Sequence, residues 1–251
     1  MISRFLYLNG FNMKRFLLLQ ARKIDDIVRP EEHLAFATQL HTDISNIDTC
    51  DILTEELSIL RAQEYDAVLV GGAGEFSVLD DDDRIKRFIS HLGDITTENI
   101  PMFASCFGFQ ALVLAMGGTV VKDIPHAEVG TYTLYTTEAA TSDPVFSALP
   151  SPFLAQMGHQ DRADLLPDAL INFAYSDNVP FQAFRVKDTP VYATQFHPEL
   201  TYQDNSKRFA RYMKIYGALF GEEEAQKRMD SHRPSPESNT LLARFATHVL
   251  S

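Results

Sequence analysis

Residues 101–118 read PMFASCFGFQALVLAMGG, and this stretch decides the fold class. Its first five residues predict a short strand that leads directly into Cys106. Residues 107–116 then show the apolar spacing of a helix, which two glycines bring to an end. A side chain on such a strand–turn–helix junction has a strained backbone and requires small neighbours, which Ala104 and Gly108 provide.

The role of Cys106 stays open on this stretch alone. The N–H groups at the start of the following helix would point at its sulfur and favour the thiolate, as in a nucleophile. A buried structural cysteine is the alternative, and it is the commoner state of a cysteine in a reducing compartment. The other cysteine, Cys50, lies in a polar stretch with no base nearby in sequence, so we expect it to be inert.

Two further candidate strands end in residues that carry chemistry. The run YDAVLV (65–70) ends at GGAG (71–74), where backbone N–H groups can approach a ligand or a developing oxyanion closely. The run 191–196 ends at HPE (197–199), where an imidazole can share the proton of a thiol and a carboxylate can fix its tautomer. Open α/β sheets place their sites at the carboxyl ends of strands, so we expect the three segments to meet. A plain connecting loop remains the alternative for the glycine run.

Composition and motifs exclude several classes of protein. The glycine run lacks the Gly-Lys-Ser/Thr ending of a phosphate-binding loop and does not fit the dinucleotide fingerprint GxGxxG. The formal charge of −12 disfavours binding to nucleic acid or to an anionic membrane. Two cysteines exclude a disulfide framework, and no apolar stretch approaches the roughly 20 residues that span a bilayer. The start of the chain lacks the features of a signal peptide, so the sequence predicts a soluble cytoplasmic protein.

The whole chain alternates short apolar runs with amphipathic segments, which predicts a flavodoxin-like, doubly wound α/β fold with a mostly parallel sheet and a C-terminal helical extension. The other predicted strands are 15–21, 119–121, 131–136 and 181–186, and the other predicted helices are 30–41, 84–92, 205–220 and 235–250. The aromatic stripe of 205–220 is expected to be core packing. Four aspartates at 80–83 are interpreted as a solvated helix start, although a metal site can be imagined there.

We expect three parts along the chain: an N-terminal extension (1–12), a main domain (13–220), and a charged linker with a C-terminal helix (221–251). The sequence that starts at Met13 resembles residues 2–8, so we expect the first segment to be dispensable and Met13 to be a candidate initiator. The apolar stripe of 240–250 is too large to leave in water, and it can pack on its own domain or dock a partner.

Four motifs together resemble those of the class I (triad) glutamine amidotransferases: VLVGGAGEFSV (68–78), PMFASCFGFQALVLAMGG (101–118), MGHQD (157–161) and ATQFHPEL (193–200). The resemblance covers about residues 15–220 and is nearest to the glutaminase half of GMP synthases and to related stand-alone proteins. It implies hydrolysis of the γ-amide of glutamine or of a γ-glutamyl compound, without a metal or an organic cofactor.

The resemblance also implies roles for single residues. Cys106 would be the nucleophile, His197 the general base and acid, and Glu199 the group that orients His197. The backbone N–H groups of Gly72 and Phe107 would form an oxyanion hole. The remaining pocket residues, which would hold the amino-acid end of glutamine, are Gly74, Gln110, Gln160 and Asp161.

Three further residues bear on the site: His159, Phe109 and Ala73. His159 competes with His197 as the base on composition alone, but the resemblance places it in a substrate-wall loop. Phe109 stands where relatives often carry His or Met, and Ala73 replaces a frequent Pro or Ser. These two departures bear on the size and polarity of the pocket and leave the triad unchanged.

Three functions fit this reading of the sequence. The protein can be a glutaminase subunit that delivers ammonia to a separate synthase partner. It can be a stand-alone hydrolase of γ-glutamyl amides or peptides. It can also be a catalytically silent binding or regulatory module, although the intact triad argues against this third function.

Overall fold

Eleven strands form two sheets in the part of the chain that the computed structural model describes, residues 14–250. The strands are β1 (Phe16–Ala21), β2 (Ile47–Asp51), β3 (Ala67–Ala73), β4 (Met102–Ser105), β5 (Thr119–Lys122), β6 (Glu128–Thr136), β7 (Phe153–His159), β8 (Asp161–Leu165), β9 (Leu170–Tyr175), β10 (Ala183–Val186) and β11 (Val191–Thr194). Nine of them form the central sheet, in the order β2-β1-β3-β4-β11-β10-β9-β6-β7, while β5 pairs with β8. Neighbours are parallel from β2 to β11 and antiparallel from β11 to β7.

Helices cover both faces of the sheet. They are α1 (Val28–Gln39), α2 (Ile59–Ala62), α3 (Asp83–Thr97), α4 (Phe107–Ala115), α5 (Tyr202–Phe220), α6 (Glu222–Asp230), α7 (Pro236–Asn239) and α8 (Leu241–His248). Side chains of a strand alternate between its faces, so Leu17 and Leu19 of β1 pack into one core and Phe16 and Leu18 into the other. The sheet is therefore buried on both sides, as expected for parallel strands between helices.

The doubly wound α/β fold with C-terminal helices that the sequence predicts is confirmed. All seven predicted strands correspond to observed strands, and the helix predicted at 107–116 is α4. Four strands, β2, β7, β8 and β9, were not predicted. Three of these four lie after residue 150, and two of them belong to the antiparallel half that extends the sheet beyond the doubly wound core.

The segment 222–230, predicted to be a charged linker, is instead the helix α6. Its charges are arranged as a helix requires, with Glu222–Glu224 in the first turn and Lys227 and Arg228 in the last. Ion pairs four residues apart join Glu223 to Lys227 (2.8 Å) and Glu224 to Arg228 (2.9 Å). The predicted single helix 235–250 is likewise divided into α7 and α8.

The apolar stripe of α8 packs on the protein's own domain. Leu241, Leu242 and Phe245 are buried in the core on the β1 face that carries Phe16, and the ring of Phe245 contacts Phe103 with centroids 5.5 Å apart. This outcome agrees with the first of the two alternatives for this segment.

Two other predictions concern the ends of elements. Among the four aspartates, Asp82 caps α3 by accepting from the Arg84 N–H (2.8 Å), which agrees with a helix start. The predicted extension 1–12 and Met13 lie outside the described residues.

No helix within residues 14–250 is long and apolar enough to cross a membrane.

Candidate active site

Cys106 lies at the sharp junction between β4 and α4. Its backbone has φ 51° and ψ −99°, a conformation that side chains rarely adopt. A Cβ on Gly108 would lie 2.6 Å from Val70 Cγ1 and 3.0 Å from Ala104 Cβ, so no larger residue fits two positions after the cysteine. The strained junction with small neighbours, predicted from the sequence, is therefore present.

His197 and Glu199 lie just beyond the end of β11, beside Cys106. Since β11 and β4 are parallel with Thr194 opposite Ser105, the residues that follow both strands meet at one edge of the sheet. His197 Nδ1 donates to Glu199 Oε1 at 2.6 Å, and both side chains are buried. This hydrogen bond fixes the tautomer and leaves Nε2 as the ring nitrogen that can exchange a proton with the thiol.

The charges of these three side chains stabilise one another. Burial alone lowers the pKa of His197, but the Glu199 carboxylate and the Cys106 sulfur outweigh it and raise the pKa to about 10. Burial raises the pKa of Glu199, but the His197 imidazolium holds it below its usual value. The arrangement therefore favours an imidazolium beside the Glu199 carboxylate.

The end of β3 lies next to the same junction. Val70 of β3 pairs with Ala104 of β4, so Gly72 and Cys106 are each two residues beyond that pair. A Cβ on Gly72 would lie 3.1 Å from His197 Cε1, so a larger residue here would have to displace the imidazole slightly. Phe107 is the first residue of α4. Both positions at which the sequence predicts an oxyanion hole thus flank the cysteine.

A cavity of about 500 Å³ opens at this edge of the sheet. It is lined by Cys106 and His197 and by the four predicted pocket residues Gly74, Gln110, Gln160 and Asp161. Gln110 Nε2 donates to the Asp161 carbonyl oxygen (2.7 Å), and Ser77 Oγ donates to Asp161 Oδ2 (2.5 Å). Two of the predicted pocket residues, Gln110 and Asp161, are therefore joined directly.

His159 also lines the cavity and is buried. Its Nε2 contacts Glu128 Oε2 at 3.1 Å, and its Nδ1 contacts the Asp161 carbonyl oxygen at 3.1 Å. Both ring nitrogens are engaged by acceptors, so neither is free to take a proton from a thiol. This geometry supports a wall position for His159 and disfavours it as a competing base.

Cys50 lies in β2 and is buried. Burial raises the pKa of its thiol to about 11, and the nearby Arg61 lowers it less than burial raises it. This position agrees with the expectation that Cys50 is inert.

One side of the cavity consists of residues that the sequence did not predict as part of a site. Arg22, which follows β1, and Arg208, Tyr212 and Tyr216 of α5 also line it. The stripe on α5 that we expected to be core packing is therefore only partly core: Phe209 is buried, but the two tyrosines face the cavity. Two signals were available in the sequence: Arg22 directly follows a buried strand, and Arg208 lies at the edge of the apolar face of a helix.

The site carries no arrangement typical of a metal centre. Within residues 14–250, no group of three or more His, Cys, Asp or Glu side chains is placed to hold a metal ion.

Comparison with known proteins gives a family and a set of relatives. The profile of the family "Glutamine amidotransferase class-I" matches residues 31–214. A GMP synthase [glutamine-hydrolyzing] of Thermosipho africanus is 40% identical over 104 residues, which cover 41% of this chain and 19% of that protein. A second one, of Thermosipho melanesiensis, is 37% identical over 137 residues, covering 54% of this chain and 24% of that protein. The matched part is thus less than a third of the length of these two relatives.

Solved structures of similar fold include two glutamine amidotransferases. The one from Thermotoga maritima superposes with a TM-score of 0.69 at 19% sequence identity and covers 95% of this chain and 99% of that chain. The one from Methylobacillus flagellatus gives a TM-score of 0.66 at 18% identity and covers 95% of this chain and 93% of that chain. At these identities the likeness establishes the fold.

Proposed function

The chain belongs to the glutamine amidotransferase class-I family, and we propose that it hydrolyses the γ-amide of glutamine or of a γ-glutamyl compound through Cys106, His197 and Glu199. One observation carries the proposal. A cysteine in a strained conformation and a buried His–Glu pair, joined by a 2.6 Å hydrogen bond, lie at one edge of the sheet beside one cavity.

In the first step the Cys106 thiolate attacks the side-chain carbonyl carbon of the substrate. A C–S bond forms, and the carbonyl electrons move to oxygen, where the N–H groups of Gly72 and Phe107 would stabilise them. His197 then donates its Nε2 proton to the nitrogen as the C–N bond breaks. The products of this step are a γ-glutamyl thioester and ammonia or an amine.

In the second step water attacks the thioester carbonyl carbon. Neutral His197 takes the proton of the water, while Glu199 stabilises the imidazolium that forms. The C–S bond breaks, glutamate leaves, and the thiolate–imidazolium pair is restored. Gly74, Gln110, Gln160 and Asp161 are proposed to hold the amino-acid end of the substrate throughout.

A glutaminase subunit that passes ammonia to a synthase partner is the second candidate. It is favoured by the relatives named GMP synthase, of which this chain matches one part. The stand-alone candidate is favoured by the packing of α8, because the most apolar segment of the C-terminal region covers its own domain. A silent binding module of the same fold is disfavoured by the complete triad.

The proposed partners are small molecules and, in the second candidate, a synthase. The charge of −12 supports neither nucleic acid nor an anionic membrane surface as a partner. Both cysteines are free thiols, which supports a reducing, cytoplasmic location.

The test is glutamate release by the purified chain from glutamine, with and without extract of the host cell. A measurable rate for the chain alone, absent in Cys106→Ala, supports the stand-alone hydrolase. A negligible rate that extract raises by orders of magnitude supports the partnered subunit. Turnover that persists in Cys106→Ala would refute the mechanism.

A further inference from the structure

Two arginines line the cavity beside Cys106, and they differ in how their charge is satisfied. Arg22 donates to Asp26 Oδ2 (3.2 Å) and to Glu32 Oε1 (3.1 Å) in largely buried ion pairs. Arg208 lies on α5, and its Nη2 is withdrawn from solvent with no hydrogen-bond partner among residues 14–250. The cavity thus contains one paired and one unpaired guanidinium.

A buried guanidinium without a hydrogen-bond acceptor is costly, because arginine stays charged and its N–H groups lose their water. Burial lowers the pKa of Arg208, and the positive charge of Arg22 lowers it further. The carboxylates of Glu32 and Glu199 oppose this effect without contributing a hydrogen bond. A ligand that brings its own acceptor would satisfy Arg208, and the planar fork of a guanidinium matches a carboxylate best.

Helix α5 brings Arg208 to the part of the cavity near the His197–Glu199 pair. In the proposed mechanism His197 protonates the departing nitrogen, so that nitrogen must lie on the His197 side of the scissile carbon. Helix α5 begins at Tyr202, three residues after Glu199, and the charge of Arg208 acts on the Glu199 carboxylate. The residues proposed to hold the glutamyl end come from other elements, among them α4 and β8.

The cavity has room beyond Arg208. Its volume of about 500 Å³ lies within the range of sites that enclose whole small-molecule ligands. Tyr216 lines the same side, where burial and nearby charges, including that of the Cys106 sulfur, raise its pKa to about 12. Tyr212 and Ile215 continue this wall along α5.

We propose that Arg208 binds a carboxylate in the amine half of the substrate, so that the preferred substrates are γ-glutamyl conjugates of amino acids. This proposal rests on the proposed function and specifies its substrate class. After the C–S bond has formed, the carbonyl is restored as the C–N bond breaks, and the nitrogen leaves with the proton of His197. The released product is an amino acid whose carboxylate is held by Arg208 until it departs.

Matched substrates test the proposal. γ-Glutamylglycine and γ-glutamylethylamide differ only in that a carboxylate replaces a methyl group, and γ-glutamyl-β-alanine and γ-glutamylpropylamide differ in the same way one carbon further out. In at least one pair, kcat/KM for the carboxylated member should be higher by roughly 10- to 100-fold, as expected for a hydrogen-bonded charge pair. Glutamine is the reference for the catalytic machinery.

Substitutions assign the preference to one side chain. Arg208→Gln should bring the ratio within each pair close to one, and Arg208→Lys should retain part of it. Arg211→Gln is the matched control, because Arg211 lies one turn along the same helix and pairs with Glu31 near the surface (2.5 and 2.6 Å). It should leave the ratios unchanged.

Three results would overturn the proposal. One is equal rates for both members of both pairs in the wild type. Another is a loss in Arg208→Gln that is the same for glutamine and for all four conjugates, which would mean that Arg208 holds the α-carboxylate they share. The third is a preference for the carboxylated members that Arg208→Gln leaves intact.

A binding measurement separates this proposal from the proposed function. Calorimetry with Cys106→Ala compares the affinities of γ-glutamylglycine and γ-glutamylethylamide without turnover, and the carboxylate should again be preferred roughly tenfold or more. If the wild type cleaves none of the compounds yet this variant shows that preference, the proposed function fails and the assignment of Arg208 stands. Equal affinities would refute the assignment even if glutamine is cleaved.

Discussion

The cavity is bordered by two buried histidine–glutamate pairs, and they differ in what the second ring nitrogen contacts. In His197–Glu199, Nδ1 donates to the carboxylate (2.6 Å), which leaves Nε2 for the Cys106 sulfur, and hydrogen bonding to that sulfur helps to raise the pKa of His197. In His159–Glu128, Nε2 contacts the carboxylate and Nδ1 the Asp161 carbonyl oxygen, both at 3.1 Å. A carboxylate partner therefore does not by itself make a histidine a base. The histidine also needs a ring nitrogen that faces the reacting group.

The His159–Glu128 pair has a structural role at the same site. Glu128 also accepts from Ser176 Oγ (2.7 Å) and Gln182 Nε2 (2.5 Å), and these contacts, together with His159, hold its pKa below the usual value although burial raises it. His159 in turn fixes the Asp161 carbonyl oxygen that Gln110 also contacts. We therefore expect one pair to act on the rate of the chemical step and the other on the shape of the substrate wall.

Replacing each histidine by alanine should separate these roles most strongly. His197→Ala removes the proton carrier and should lower kcat by about 10³-fold or more. His159→Ala should act mainly on KM, with a change in kcat of about tenfold or less, because it loosens a binding wall. Steady-state kinetics on glutamine measures both constants. A loss of kcat in His159→Ala as large as that in His197→Ala would contradict the comparison.

The thiols give an independent measure of the same difference. Cys106 should react with iodoacetamide at pH 7 about 100-fold or more faster than Cys50, whose pKa of about 11 leaves about one thiolate in 10⁴ molecules. The rate at Cys106 should fall in His197→Ala and stay nearly unchanged in His159→Ala. Mass-spectrometric mapping follows each site, and glutamine should protect Cys106. Faster labelling of Cys50, or labelling that ignores both glutamine and His197, would refute the proposed site.

Replacing the two glutamates by glutamine should have a smaller effect. Glu199→Gln keeps the proton carrier and removes its orientation, so the loss of kcat should be smaller than in His197→Ala by a factor of roughly 10 to 100. Glu128→Gln should affect KM more than kcat. It should also lower the free energy of unfolding, because the buried Glu128 carboxylate contacts His159 and accepts from Ser176 and Gln182, and an amide with one oxygen cannot satisfy all three. Urea unfolding and steady-state kinetics on both variants check this. Equal losses of kcat would mean that the two carboxylates are not distinguished by position.

The parallel half of the sheet and its chemistry could be predicted because both depend on local sequence. The strands that are buried on both faces give continuous apolar runs, such as residues 16–19 and 67–70, and the residues that follow these strands meet at one edge whatever the details of packing. The position of Cys106 between a strand and a helix could be read from the small residues around it. The difference between His197 and His159 could not be predicted from the sequence, because the carboxylate that contacts His159 belongs to Glu128, 31 residues away on another strand.

The features that were missed depend on tertiary contacts. Strand β7 contains Gln156 and His159, whose polar groups contact Ser235 and Glu128, residues far away in the sequence. In the sequence, Arg208 is an ordinary charged residue of an amphipathic helix. Only the tertiary structure shows that it lines a cavity. Helix α6, by contrast, has a local signal in the sequence, because its glutamates come first and its basic residues last. The prediction of a linker used only the high charge of this segment and overlooked that order.

The smallest expected effect is on the pH dependence of the free energy of unfolding, which should differ between the two histidine–glutamate pairs. Because the folded-state pKa of His197 is raised from 6.5 to about 10, its protonation adds stability that is fully present below about pH 6.5 and is lost as the pH rises through about 10. Between pH 7 and 9, the wild type should lose on the order of 1–2 kcal/mol more of its free energy of unfolding than His197→Gln. Cys106→Ala should show a smaller decline than the wild type, because the sulfur contributes to the raised pKa.

His159→Gln is the matched control for this measurement, because it leaves the His197–Glu199 hydrogen bond in place. It should unfold more easily at every pH, yet its decline between pH 7 and 9 should parallel that of the wild type. Urea unfolding at several pH values measures all four proteins. If His197→Gln declines as steeply as the wild type, the imidazolium of His197 does not persist to alkaline pH. The charge arrangement at Cys106 would then have to be revised.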